Sequence, residues 1–215
     1  MKIPVVKEIL NANDQVAAEN RASFDSVGVF VLNLMASPGA GKTSLILSTV
    51  DQLPQTVRPG VIEGDLASTI DADTIAARGI PVVQINTGGN CHLDAPMIRT
   101  ALPDLPLDDM KLLFIENVGN LVCTADFALG ADLAVVVASV PEGHDKPYKY
   151  PAMFASADAV VLNKADLLDV FEFDVDYFRR GLEMLNPGIP FFVVSCRTGD
   201  GILNWVAWLL DRASG

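Results

Sequence analysis

The chain has 215 residues, half of them hydrophobic and a fifth charged, with a formal net charge of −12. That length can bury a full core in one domain, and that composition excludes a disordered chain. The acidity excludes a broad nucleic-acid or anionic-membrane surface, because such partners demand clustered Lys and Arg; a local anion pocket stays open.

The opening "MKIPVVKEIL" turns polar before an apolar stretch of useful length, so no signal peptide is expected. Residues 1–26 have helical spacing at Val6, Ile9 and Leu10, then Val16, Ala17 and Phe24. They predict an N-terminal helical segment, one or two amphipathic helices, packed on a main domain of residues 27–215. Seven short apolar runs follow: "VFVLNLM", "GVIEGD", "IPVVQI", "KLLFIEN", "LAVVVAS", "AVVLNK" and "PFFVVS". Each is rich in Val, Ile, Leu or Phe with little alternation, as strands buried on both faces should be. Helical stretches at 42–53, 93–102, 175–185 and 202–210 separate most of them. The alternation predicts an α/β fold of the P-loop NTPase type, a mostly parallel central sheet of about seven strands with helices on both faces. In such sheets ligands collect at the carboxyl ends of the strands. The most apolar window, "LVCTADFALGADLAVVVASV", contains Asp126, Asp132, a glycine and a β-branched run, so residues 133–140 read as a buried strand and not a membrane span. Three cysteines give no disulfide framework, and a reducing cytoplasm is expected.

After the first strand comes "ASPGAGKTS", residues 36–44, close to the pattern G-x-x-x-x-G-K-[ST] but with Ala36 at the first glycine position. Here Pro38, Gly39, Ala40, Gly41, Lys42, Thr43 and Ser44 form a candidate phosphate loop. Its backbone N–H groups turn inward, and the following helix adds its positive end. Lys42 reaches the β- and γ-phosphates, and the Thr43 hydroxyl binds magnesium. "VVLNKAD" supplies Asn163, Lys164 and Asp166, the N-K-x-D pattern. The Asp166 carboxylate can accept from N1–H and the exocyclic amine of guanine, donors that adenine does not match. Ser195, Cys196 and Arg197 of "VVSCRTGDG" cover the base, with a backbone N–H available to guanine O6. The expected nucleotide is GTP.

"FIENVGN" places Gly119 to sense the γ-phosphate and Glu116 near magnesium. Asp65 of "IEGDLAST" is the best candidate to bind the magnesium water shell or orient the attacking water; the alternative is helix capping. Asn120, not glutamine, follows Gly119, so slow intrinsic turnover is expected. Cys91 and His92 of "INTGGNCHLDA" and Cys123 after "IENVGNLV" are expected at adjacent strand ends, on the same sheet edge as the phosphates. Two thiols and an imidazole make a soft site suited to zinc or nickel. A second subunit, a water or the Cys91 amide could complete the ligand set. Buried free cysteines and a helix-capping His92 are the competing explanation. Cys196 has a simpler account, lining the base pocket, and His144 of "PEGHDKPYKYP" reads as an exposed loop residue.

These segments, with "VPEGHDKPYKYP", "FASADAVVLNKADL" and "LLFIENVGNLVC", resemble the hydrogenase nickel-incorporation GTPases, the HypB family, over nearly the whole chain. The resemblance implies a dimerising GTPase of the SRP-related class that delivers nickel to [NiFe]-hydrogenase precursors with other maturation proteins. It implies nickel or zinc on Cys91, His92 and Cys123 at the dimer interface, GTP favouring the dimer, and Lys146 contacting nucleotide across it. Some members carry an N-terminal C-x-x-C-G-C or a histidine-rich tract; neither is present, so no such site is expected. His144 stands where the family usually has an acidic residue, and Thr124 where proline is common. The urease accessory GTPases are similar in the phosphate loop but use C-P-H where this sequence has C-H. A regulatory GTPase with redox-sensing cysteines is the reading from a different class. A kinase or ATPase is argued against by N-K-x-D and "SCRTG".

Overall fold

All seven apolar runs are strands of one parallel sheet: β1 (Phe30–Ala36), β2 (Pro59–Asp65), β3 (Val82–Asn86), β4 (Leu112–Glu116), β5 (Leu133–Ser139), β6 (Ala159–Asn163) and β7 (Phe191–Val193). The order across the sheet is β3-β2-β4-β1-β5-β6-β7, and every neighbouring pair is parallel. The computed structural model describes residues 5–66 and 68–214, and of residues 5–11 the helical backbone alone. The spacing at Val6, Ile9 and Leu10 lies outside the described side chains.

Parallel strands need crossovers, and the crossover helices cover both faces. On one face Leu32, Leu34, Val61, Phe114 and Val135 pack against Leu45 and Ile46 of α2 (Lys42–Val50) and Trp205 and Leu209 of α8 (Ile202–Ala213). The other face is divided. Val31, Ile62, Leu113 and Ile115 meet α1 (Val5–Val27) and α4 (Ala95–Ala101). Met35, Val136, Val160 and Leu162 meet α6 (Pro151–Ala155) and α7 (Val175–Leu185). Two short helices, α3 (Ile70–Ala76) and α5 (Lys146–Lys149), complete the chain. α4 starts later than the spacing predicts because Asp94 caps it, its carboxylate accepting from the Met97 N–H at 2.8 Å.

The N-terminal segment is one helix. Its buried stripe is Asn13, Ala17, Asn20 and Phe24, so two of the four positions are polar. Val16, expected on that stripe, is only half-buried. Burial of the amides is offset by their hydrogen bonds, with only Asn20 Oδ1 left without a partner among the atoms of the two side chains. Asn13 accepts from the Ala95 N–H and donates to the Ala128 carbonyl, both at 2.9 Å. Asn20 donates to the carbonyls of Ala95 at 2.9 Å and Leu129 at 3.1 Å. α1 thus spans the start of α4 and the segment leading into β5. Among the described residues no helix is long and apolar enough to cross a membrane.

Candidate nucleotide and metal site

The loop after β1 turns on Gly39 and Gly41, whose φ angles are +75° and +99°, a region that favours residues without a Cβ. Gly41 is the residue before α2, so the loop runs directly into the helix N-terminus. Ala40 is buried, and Lys42, the first residue of α2, is 8% exposed. From the other side, Gly119 lies so close that a Cβ there would sit 2.9 Å from the Pro38 backbone. Only glycine allows the β4 exit loop to touch the phosphate loop at this point.

The N-K-x-D segment is stitched onto that loop. Asn163 donates to the Ala40 carbonyl at 3.2 Å, and Lys164 donates through Nζ to the Gly39 carbonyl at 2.7 Å. Lys164 is the one non-glycine residue with positive φ among the described residues, at +60°. Asp166 accepts from the Ser195 hydroxyl at 2.7 Å and lies 3.6 Å from the Arg197 guanidinium. These partners, Ser195 first, hold its carboxyl below the usual carboxylate range. Ser44, Asn163, Lys164, Asp166, Cys196 and Arg197 line a cavity of about 330 Å³. Burial pushes the Cys196 thiol up, which keeps it a neutral wall of that cavity. The Ser195 N–H donates to Asp200 and the Cys196 N–H to Asn163, so neither is presented to a base in this state.

Beneath the phosphate loop lie two carboxylates, one of which the motif reading passed over. Glu116 on β4 accepts from the Thr43 hydroxyl at 2.8 Å. Its register partner on β2 is Glu63. They are 3% and 2% exposed, and each has one oxygen with no hydrogen-bond partner. A charged residue inside a run otherwise buried on both faces is the signal that "VIEGD" carried. Burial raises Glu63 to about 8, and Glu116 and Asp65 add to the rise. Burial raises Glu116 to about 7, against the pull of Lys42 and Thr43. Above pH 4.5, the ordinary value, the unfolded chain has lost protons that the fold retains. The native state therefore binds more protons, and stability falls as pH rises. Without nucleotide or divalent cation, the melting temperature is expected to decline between about pH 5 and pH 8. Glu63→Gln should flatten the upper part of that slope, which scanning calorimetry across the range would test. Asp65 accepts from the Ser68 N–H at 2.8 Å, holding the turn before α3.

Cys91, His92 and Cys123 come together, though not from adjacent strands, since β2 lies between β3 and β4 and the loops after those strands span it: their ligand atoms lie within 4.8 Å of one another, and all three residues are half-buried. Capping does not occupy His92, since Asp94 caps α4. Its ring stacks on Phe127, with centroids 3.8 Å apart, and Nδ1 lies 3.7 Å from Cys91 Sγ. Cys91 beside it pushes the Cys123 thiol above its ordinary value. Asn120 approaches Cys123 Sγ through Nδ2 at 3.7 Å. Thr124 is buried and donates to the Asn120 carbonyl at 2.7 Å, closing the turn. His144 is not an exposed loop residue: it is half-buried, accepts from the Asp174 N–H at 3.1 Å and packs edge-on against Phe173 and Tyr177. Lys146 lies over the Tyr150 ring at 5.6 Å.

The family described as CobW/HypB/UreG, nucleotide-binding domain, matches residues 30–193. The hydrogenase maturation factor HypB of Azotobacter vinelandii is 51% identical over 213 residues, which cover 98% of this chain and 69% of that one. The crystal structure of HypB from Helicobacter pylori in complex with nickel superposes with a TM-score of 0.91 at 40% identity, covering 94% of this chain and 95% of that one. The signal recognition particle 54 kDa protein of Aeropyrum pernix K1, solved with GDP, shares the fold alone: TM-score 0.56 at 13% identity, over 87% of this chain and 49% of that one. The chain belongs to the HypB hydrogenase maturation factors of the CobW/HypB/UreG nucleotide-binding family.

Proposed function

We propose that this chain is a GTP-hydrolysing nickel carrier for [NiFe]-hydrogenase maturation. It works in the cytoplasm as a homodimer that GTP favours, passing its ion to the hydrogenase large-subunit precursor with other maturation proteins. The observation that carries this reading is the Cys91, His92 and Cys123 cluster on the same sheet edge as the phosphate loop. The related Helicobacter pylori protein, with nickel bound, supports nickel as cargo over zinc.

In this reading the inward amides of the phosphate loop and the N-terminus of α2 hold the phosphates, and Lys42 adds its charge at the β- and γ-oxygens. Asp166, oriented by Ser195, reads the guanine edge. The donor set suits a hard divalent cation: the Thr43 hydroxyl, the unpartnered buried oxygen of Glu116, and Asp65. Magnesium held there would supply charge neutralisation on the phosphate oxygens. Turnover is slow because the side chain after Gly119 is engaged elsewhere: Asn120 caps its own loop and approaches Cys123. Two thiolates and the imidazole hold the nickel, and the partner copy or water completes the set. Lys146 reaches the nucleotide of the partner copy.

The test is nickel binding and dimer formation, with and without a non-hydrolysable GTP analogue, on the native chain and Cys91→Ala. Metal–ligand sets contribute several kcal/mol per ligand, so Cys91→Ala is expected to weaken nickel binding by about 100-fold. GTP binding with no cysteine-dependent nickel would sink the carrier reading and leave a plain nucleotide switch.

A further inference from the structure

Residues 117–120, between the Glu116 carboxylate and the cysteine loop, touch both halves of the site. Asn117 is 1% exposed and makes three side-chain hydrogen bonds. Its Oδ1 accepts from the Leu93 N–H at 3.0 Å and the Val118 N–H at 2.9 Å, and its Nδ2 donates to Asn33 of β1 at 3.1 Å. Leu93 directly follows His92. It is wholly buried and packs on Gly64, the residue between Glu63 and Asp65, so tightly that a Cβ there would meet it at 2.7 Å. Asn120 serves the other cysteine. Its Oδ1 accepts from the Val122 N–H at 2.7 Å and the Cys123 N–H at 3.1 Å, and its Nδ2 lies 3.7 Å from Cys123 Sγ. Between the two asparagines sits Gly119, against Pro38.

We propose that Asn117 and Asn120 are the positioning residues that tie the geometry of the Cys-His-Cys cluster to the occupant of the phosphate loop. The inference rests on the nickel-carrier reading. One segment of four residues touches the phosphate loop at its centre and holds one metal-bearing segment at each end. A nucleotide that moves Gly119 cannot do so without moving both amides. A buried amide with both its oxygen and its nitrogen bonded resists stretching, because each broken bond strands a polar group away from water. The segment therefore moves as a unit: Asn117 carries Leu93 and the adjacent His92, and Asn120 carries Cys123. The linkage is reciprocal, so nickel alters nucleotide affinity by the same factor.

The experiment measures nickel affinity of the full chain by equilibrium dialysis and by its thiolate-to-nickel charge-transfer absorption. Each is recorded with GDP and with a non-hydrolysable GTP analogue. Allosteric coupling of ordinary size gives the native chain an affinity ratio of about 5- to 150-fold between the two nucleotides. Asn120→Ala and Asn117→Ala should bring that ratio to near one, with GTP-analogue binding retained. Asn120→Ala should also shift the charge-transfer band, since Cys123 loses a donor, a change that a merely structural role would not produce. Asn120 is half-buried at a loop, so its variant decides the matter if Asn117→Ala fails to fold. Variants that keep the native ratio overturn the inference, as does a native chain that binds nickel equally in both states. A native chain that binds no nickel defeats the carrier reading instead.

Discussion

Asp166→Asn is expected to lower GTP affinity by about 10²- to 10⁴-fold and to admit xanthosine triphosphate in its place. The carboxylate is held by the Ser195 hydroxyl at 2.7 Å and faces Arg197, so it stays charged through the physiological range. Guanine offers that charge two donors, N1–H and the exocyclic amine. An amide at the same place keeps one acceptor and turns an N–H toward the amine, leaving donor against donor. Xanthine has a carbonyl where guanine has the amine, so the same N–H finds an acceptor there. Competition of GTP, xanthosine triphosphate and ATP for a fluorescent nucleotide would measure the change. If the variant kept GTP affinity within tenfold, Asp166 would not be the base reader, and the cavity at the ends of β6 and β7 would need another ligand.

Lys42→Ala is expected to slow GTP hydrolysis by about 10²- to 10³-fold, the usual effect of removing one preorganised charge from a site of charge development. The effect should not be rescued by Lys42→Arg. An ammonium on a flexible stem fits among the loop amides, whereas a planar guanidinium is bulkier and fixed in its fork. Single-turnover hydrolysis with nucleotide affinity measured alongside separates chemistry from binding. A second effect comes from the fold itself. Lys42 lowers both Glu63 and Glu116, so its loss should steepen the decline of stability with pH in the nucleotide-free chain. A variant that hydrolysed GTP normally would remove Lys42 from the phosphate site.

The strands were legible because a parallel sheet covered on both faces writes itself as unbroken apolar runs, and all seven runs became strands. Their order was not, since crossover helices separate neighbours such as β2 and β4 and leave no local mark on the sequence. α3 escaped notice because only Ala72 and Ile75 of it are buried, too few to show a period. In the site, the residues that form turns of fixed chemistry were readable: the phosphate loop, N-K-x-D and the paired Cys91 and His92. Those that act through distant partners were not. Asn20 looks like a solvent-facing residue until Ala95, 75 positions further on, is folded against it. The same holds for Phe127 beneath His92 and for His144, whose aromatic neighbours are Tyr177 in α7 and Phe173 just before it. Glu63 was visible and passed over, because a strand reading absorbs one acidic residue among hydrophobic ones.

The brace made by α1 bears on what happens when an ion leaves. Asn13 and Asn20 hold Ala95, just past Cys91 and His92, and Ala128 and Leu129, just past Cys123, to the same helix. The two ligand-bearing segments are thus fastened by bonds that involve neither the thiols nor the imidazole, and the three ligands stand outside the clusters that make the core. Small zinc domains recruit their chain around the ion and unravel when it is stripped. Here the scaffold does not depend on an ion, so in the proposed carrier role one folded molecule would be filled and emptied many times without unravelling.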